Sequence, residues 1–209
     1  MPLRTSTSVS ILGAELYKGK EVLVRLVICG GVHGVGKTTL MNRVAAILGE
    51  KCVRFDPGEL FMEHLYRQKD KTGPEIEEMV VEQLVKSVLS SPLVLSNWHY
   101  AVWQPQGYTT QVSMERWERI VRETSCAQIV LALVAASPEE ILTRREKDCG
   151  IRRRKLNLDA VREELEQTDR SYKEHYRLAR LFREPERAVI DNSSLEAATD
   201  ALLALCHHV

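Results

Sequence analysis

The sequence carries no surplus of charge of either sign: 29 lysines and arginines face 29 aspartates and glutamates. A general nucleic-acid binder shows a basic excess, so this balance argues for no nucleic-acid partner. Close cysteine pairs are also missing. Cys29, Cys52, Cys126, Cys149 and Cys206 are scattered, which excludes the usual zinc spacings and offers no disulfide framework. That usage points to a reducing, cytoplasmic compartment. Cys29, Cys126 and Cys206 lie in apolar surroundings and are expected as small core residues. Long hydrophobic runs are absent too. The longest, residues 129–136, is too short to span a bilayer, and Met1 to Ser10 lacks an apolar signal core. No membrane association is therefore expected. Repeats, low-complexity tracts and domain-sized linkers are not seen.

What remains is a globular composition. Of 209 residues, 44% are hydrophobic and 28% charged, enough apolar surface for one full core. Residues 23–29 form a nearly continuous apolar run, the pattern of a strand buried on both faces. Similar short strands are expected at 52–55, 93–95, 128–134 and 187–190. Helical spacing appears at 37–48, 59–67, 75–89, 114–124, 158–182 and 195–205. Ser137-Pro138-Glu139-Glu140 predicts a further helix start, with a serine cap, proline at the first position and a glutamate completing a capping box. Residues 103–113, holding Pro105 and Gly107, read as a loop. Strands alternating with helices imply an α/β fold with a parallel five-stranded sheet and helices on both faces. Ligands of such sheets sit beyond the carboxyl ends of the strands.

The most specific signal is Gly31-Val32-His33-Gly34-Val35-Gly36-Lys37-Thr38, which meets the pattern G-x-x-x-x-G-K-[ST] of a phosphate loop. Glycines let the backbone curl so that several N–H groups point at one phosphate, and the following helix adds its positive end. Lys37 neutralises the β- and γ-phosphates, and the Thr38 hydroxyl ligates Mg2+. A buried strand before the loop and an amphipathic helix after it, opening through Thr39, supply the context this motif needs. The sequence thus reads as a P-loop NTPase fold that binds ATP or GTP with Mg2+. His33 is not required by the pattern.

Three further groups fall near the same sheet edge. Residues 93–97 end in Ser96 and Asn97, where P-loop proteins usually place an Asp that holds the metal hydration shell. Asn97 can bind metal or its water through a carbonyl oxygen but carries no charge. His99 could orient water or approach the phosphates. Arg144, Arg145, Lys147, Arg152, Arg153, Arg154 and Lys155 crowd into twelve residues, a small basic lid able to chelate the developing charge of phosphoryl transfer. The long helix that follows is read as a solvated, self-paired face, Glu164 included. Trp98, Trp103 and Tyr108 could stack on a base or pack in the core.

With these residues placed, the chain resembles the archaeal-type adenylate kinases, within the P-loop nucleoside monophosphate kinases, from Val24 onward. The family's Asp-x-His segment and Gly-Tyr loop correspond to Asn97-Trp98-His99 and Gly107-Tyr108. Its Arg-x-x-x-Asp helix end and basic lid correspond to Arg144 through Asp148, then Arg152 and Arg154. Its last strand and Asn correspond to Val189-Ile190-Asp191-Asn192. The resemblance implies transfer of the ATP γ-phosphoryl group to AMP with Mg2+, with Lys37, Arg144, Arg152 and Arg154 stabilising the transition state and Asn192 near the adenine. Residues 1–22 would form an N-terminal extension to a kinase domain over 23–209, with an acceptor-binding arm at 58–76 and the lid at 144–157. Two departures stand out: Asn97 replaces an acid, and the arm is short, offering only Arg67, Lys69 and Lys71 to an acceptor phosphate.

Three readings follow. A nucleotide substrate such as AMP needs no base, because its phosphate oxygen is already ionised. A hydroxyl acceptor gains from a carboxylate that takes its proton, for which Asp56 and Glu59 are candidates. A P-loop regulatory protein with little turnover would explain the missing acid but not the dense basic lid. Self-association as a homo-oligomer is left open.

Overall fold

The computed structural model describes residues 24–148 and 156–207. The expectations for the N-terminal extension and for Arg152 and Arg154 lie outside these residues.

Five strands form one parallel sheet: β1 (Val24–Gly30), β2 (Val53–Phe55), β3 (Leu93–Trp98), β6 (Ala127–Ala135) and β7 (Glu186–Asp191). Their order is β2-β3-β1-β6-β7, so the phosphate-loop strand is central. Its seven residues are almost wholly buried, which is why the run reads as continuously apolar rather than alternating. The crossovers are helical: α1 (Lys37–Leu48), α2 (Pro57–Phe61) with a π-helical turn at Met62–Arg67, α3 (Gly73–Ser90), α4 (Met114–Glu123), α5 (Pro138–Lys147) and α6 (Leu158–Arg180); α7 (Leu195–His207) follows the last strand.

Alternation along the strands divides the core in two. Val94 and Trp98 of β3 pack with Val80, Leu84, Trp117, Ile120 and Tyr172 from α3, α4 and α6. Leu93 and Leu95 pack on the opposite face with Leu40, Met41, Val44 and Leu202 from α1 and α7. Each half buries a helix stripe that would otherwise face water, the main stabilising term of such a layered fold. α5 begins as the sequence predicts. Ser137 caps it, accepting from the Glu140 amide at 3.2 Å, while Glu140 accepts from the Ser137 amide at 3.0 Å.

Several expectations are corrected. Residues 103–113 are not simply loop: β4 (Val102–Gln104) and β5 (Gly107–Thr109) form an antiparallel hairpin, Gln104 opposite Gly107. The two residues Pro105-Gln106 join the strands, and Gly107, the first residue of β5, takes a positive φ of 120° that glycine tolerates. α3 opens at Gly73-Pro74, two residues before the helix expected at 75–89, since proline fits the first helical turn. Residues 144–147 of the expected lid belong to α5, and Asn157 caps α6. Cys126 is exposed rather than core, because it sits in the turn that leads into β6. Trp98 is fully buried, as core packing requires and base stacking forbids. Among the described residues no helix is long and apolar enough to cross a membrane.

Candidate active site at the phosphate loop

The loop between β1 and α1 is shaped by its glycines. Gly36 has φ 96°, and a Cβ there would lie 2.5 Å from the Asn192 side-chain nitrogen. At Gly31 a Cβ would lie 2.5 Å from the carbonyl oxygen of Val134 on β6. A larger residue at either place must displace the loop or its neighbours. Val32 and Val35 anchor the loop in the core, while His33, Thr38 and Thr39 are exposed. Lys37 is largely buried. Its ammonium donates to the carbonyls of Gly31 at 2.5 Å and Val32 at 3.1 Å, so the charge is held inside the curl where a phosphate would sit.

Asn192 follows β7 and is buried. Its amide donates to the Val35 carbonyl at 2.7 Å. Arg144, on α5, donates to the same carbonyl at 2.8 Å and to the Asn192 carbonyl at 2.7 Å. Both residues therefore fix the far wall of the phosphate loop.

On the other side, three strand ends line up. Asn97 pairs in register with Cys29, and Asp56 follows Phe55, which pairs with Ser96. Leu95 and Arg54 direct their side chains to the α1 face, Leu95 into its core and Arg54 onto Asn42 of α1. Alternation puts Asn97 and Asp56 on that face too. The two touch: the Asn97 amide donates to one Asp56 carboxylate oxygen at 2.6 Å. The other oxygen accepts from the Gly58 amide at 2.9 Å and caps α2. Cys29 closes the row beside Lys37. Burial pushes its thiol up to about 12, against the opposing pull of the Lys37 charge, so it stays a neutral packing group at physiological pH.

The donor set fits a magnesium ion in its hydration shell. The Asn97 carbonyl oxygen is buried with no hydrogen-bond partner among the described residues. Such an oxygen is costly unless something occupies it, and the Thr38 hydroxyl is a further hard oxygen donor. The imidazoles of His33 and His99 stack at the rim, centroids 4.1 Å apart, and the His99 amide donates to Gln111 at 3.0 Å. Sequence reasoning placed Arg145 in the basic lid and Glu164 on a solvated helix face, and missed their pairing. They form a buried pair at 2.7 Å that also holds the backbone of His33. No local signal marks a partnership 19 residues apart.

Sheet order and phosphate loop together define the class as an α/β P-loop fold. No protein-family model matches the sequence, and no curated protein matches it. Solved structures do. Shikimate kinase from Acinetobacter baumannii, in complex with shikimate, has TM-score 0.55 at 18% identity, over 88% of this chain and 92% of that one. Shikimate kinase from Bacteroides thetaiotaomicron gives 0.50 at 18% identity, over 87% and 97%. A gluconokinase from Sinorhizobium meliloti 1021 gives 0.51 at 11% identity, over 87% and 93%. None of these three is an adenylate kinase, so the likeness carries the fold and not that family in particular.

Proposed function

We propose that the chain transfers the γ-phosphoryl group of Mg-ATP to a hydroxyl group of a small molecule. The observation that carries this reading is the Asp56 carboxylate at the end of β2, bonded to Asn97 in a row that ends beside Lys37. A hydroxyl acceptor needs such a base, whereas the phosphate of AMP does not. The expected arm for an AMP phosphate gives little support. Arg67 is exposed and engaged by Glu63 at 3.1 Å. Shikimate and gluconate, the compounds named for neighbours of this fold, are hydroxyl compounds, which accords with the proposal.

In this mechanism the phosphate-loop amides and Lys37 hold the β- and γ-phosphates, and Arg144 and Asn192 keep the loop in shape. Thr38 and Asn97 would hold Mg2+, which when bound neutralises the phosphates and fixes their orientation. Asp56 accepts the proton as the acceptor oxygen bonds to phosphorus and the bond to ADP breaks. Asn97 orients the Asp56 carboxylate through its amide, leaving its own carbonyl oxygen for the metal shell. Replacing Asp56 by Asn keeps the size of the side chain and an acceptor for the Gly58 amide, and removes the base. Turnover with the hydroxyl acceptor should fall by roughly 10² to 10⁴ while Mg-ATP binding persists. Unchanged turnover would refute the role of Asp56 and return AMP, with no need for a base, to first place.

A further inference from the structure

The Arg145–Glu164 pair surrounds one peptide of the phosphate loop. Arg145 donates to the His33 carbonyl from Nε at 3.0 Å and from a terminal nitrogen at 2.7 Å. The same terminal nitrogen donates to Glu164 at 2.7 Å. The second Glu164 oxygen accepts from the His33 amide at 3.2 Å. Both side chains are withdrawn from solvent, 1% and 13% exposed. Arg145 comes from the last turn of α5 and Glu164 from the second turn of α6. Tyr108 on β5 is raised above its ordinary value by burial, then by Glu163 and Glu164, with Arg145 opposing.

Two charges of opposite sign, poorly screened, thus sit against the crown of a loop that must receive several negative charges. A buried ion pair is a weak device for stability alone, since apolar residues of the same size do as well. Its position matters more. The carboxylate repels an incoming phosphate and the guanidinium attracts it, and their ring of hydrogen bonds keeps the His33 peptide from turning.

We propose that Arg145 and Glu164 are positioning residues of the nucleotide site, which hold the His33 peptide and set the affinity of the loop for phosphate by opposed charges. The inference rests on the reading of the loop as a nucleotide site, but not on the acceptor.

The test is Mg-ATP binding by calorimetry at pH 8 for wild type, Glu164→Gln, Arg145→Met and the double variant, with adenosine as the phosphate-free control and thermal unfolding alongside. Glu164→Gln should bind Mg-ATP about three- to tenfold tighter and Arg145→Met weaker by a similar factor. The double variant should bind between the two single variants, and adenosine binding should not move. A merely structural pair would weaken binding in every variant, in step with lost thermal stability. Tighter binding by Glu164→Gln despite a lower melting temperature supports the proposal, and this variant alone decides it should Arg145→Met fail to fold. Equal or weaker Mg-ATP binding by Glu164→Gln overturns it. Absence of Mg-ATP binding by the wild-type chain would overturn both this proposal and the nucleotide-site reading. Binding by wild type without opposed shifts would overturn this one only.

Discussion

His175 offers a quantitative check on the core that supports the site. It lies on α6, fully buried, among Trp98, Tyr100 and Trp117, with ring centroids 6.3, 5.2 and 5.3 Å away. Its Nδ1 lies 2.7 Å from the Ser171 carbonyl, and Nε2 is buried with no partner among the described residues. Burial lowers the imidazole from 6.5 to about 4, only partly opposed by the Ser171 bond. The unfolded chain therefore takes up a proton near pH 6.5 that the folded chain refuses until about pH 4. Stability is complete above the unfolded value and is lost as pH falls through this window. At 1.36 kcal/mol per pH unit the loss is roughly 3 kcal/mol, a large share of an ordinary domain's stability. Urea unfolding at intervals from pH 7.5 down to 4.5 should show the wild type weakening by about that amount. His175→Phe, which fills the aromatic cage without a titrating group, should show a much flatter curve, because the carboxylates that titrate lower are common to both. Parallel curves, or the His175 imidazole resonance titrating near 6.5 in the folded protein, would refute the reasoning.

Two further outcomes test the loop. Gly36→Ala places a methyl against Asn192 at a φ of 96°, a strain of about 1–3 kcal/mol. Mg-ATP affinity should drop at least tenfold with a smaller fall in melting temperature; unchanged affinity would mean the loop tolerates the shift. Lys37→Ala should abolish phosphoryl transfer while the fold, followed by circular dichroism, persists; full turnover would overturn the phosphate-loop mechanism.

The parts of the fold legible in the sequence were those with strong local signatures. Residues 24–30 are buried on both faces, so the apolar run is uninterrupted, and the phosphate-loop motif is a contiguous backbone requirement. The Ser137 capping box is likewise local. The β4–β5 hairpin was not legible, because three-residue strands give too little alternation and Pro105-Gln106-Gly107 reads as pure turn. α6 misled in a different way. Its charged residues dominate the sequence, yet Val161, Thr168, Tyr172, His175 and Ala179 form a buried stripe, and Glu164 turns inward to Arg145. A charge reads as solvated until a distant partner is known. The contact between Asp56 and Asn97 spans 41 residues and follows only from strand order, which places β3 between β2 and β1. Function at this site depends on such long-range pairs, whereas the fold class depends mostly on short-range pattern.

The most direct measurement of the central claim is phosphoryl transfer from γ-labelled Mg-ATP to a panel of sugars, sugar acids, cyclic polyols, nucleosides and AMP, with the labelled product identified. The account predicts label in a phosphate monoester of one hydroxyl compound, lost in Lys37→Ala and strongly reduced in Asp56→Asn. Label appearing in ADP formed from AMP, undiminished by Asp56→Asn, would contradict it.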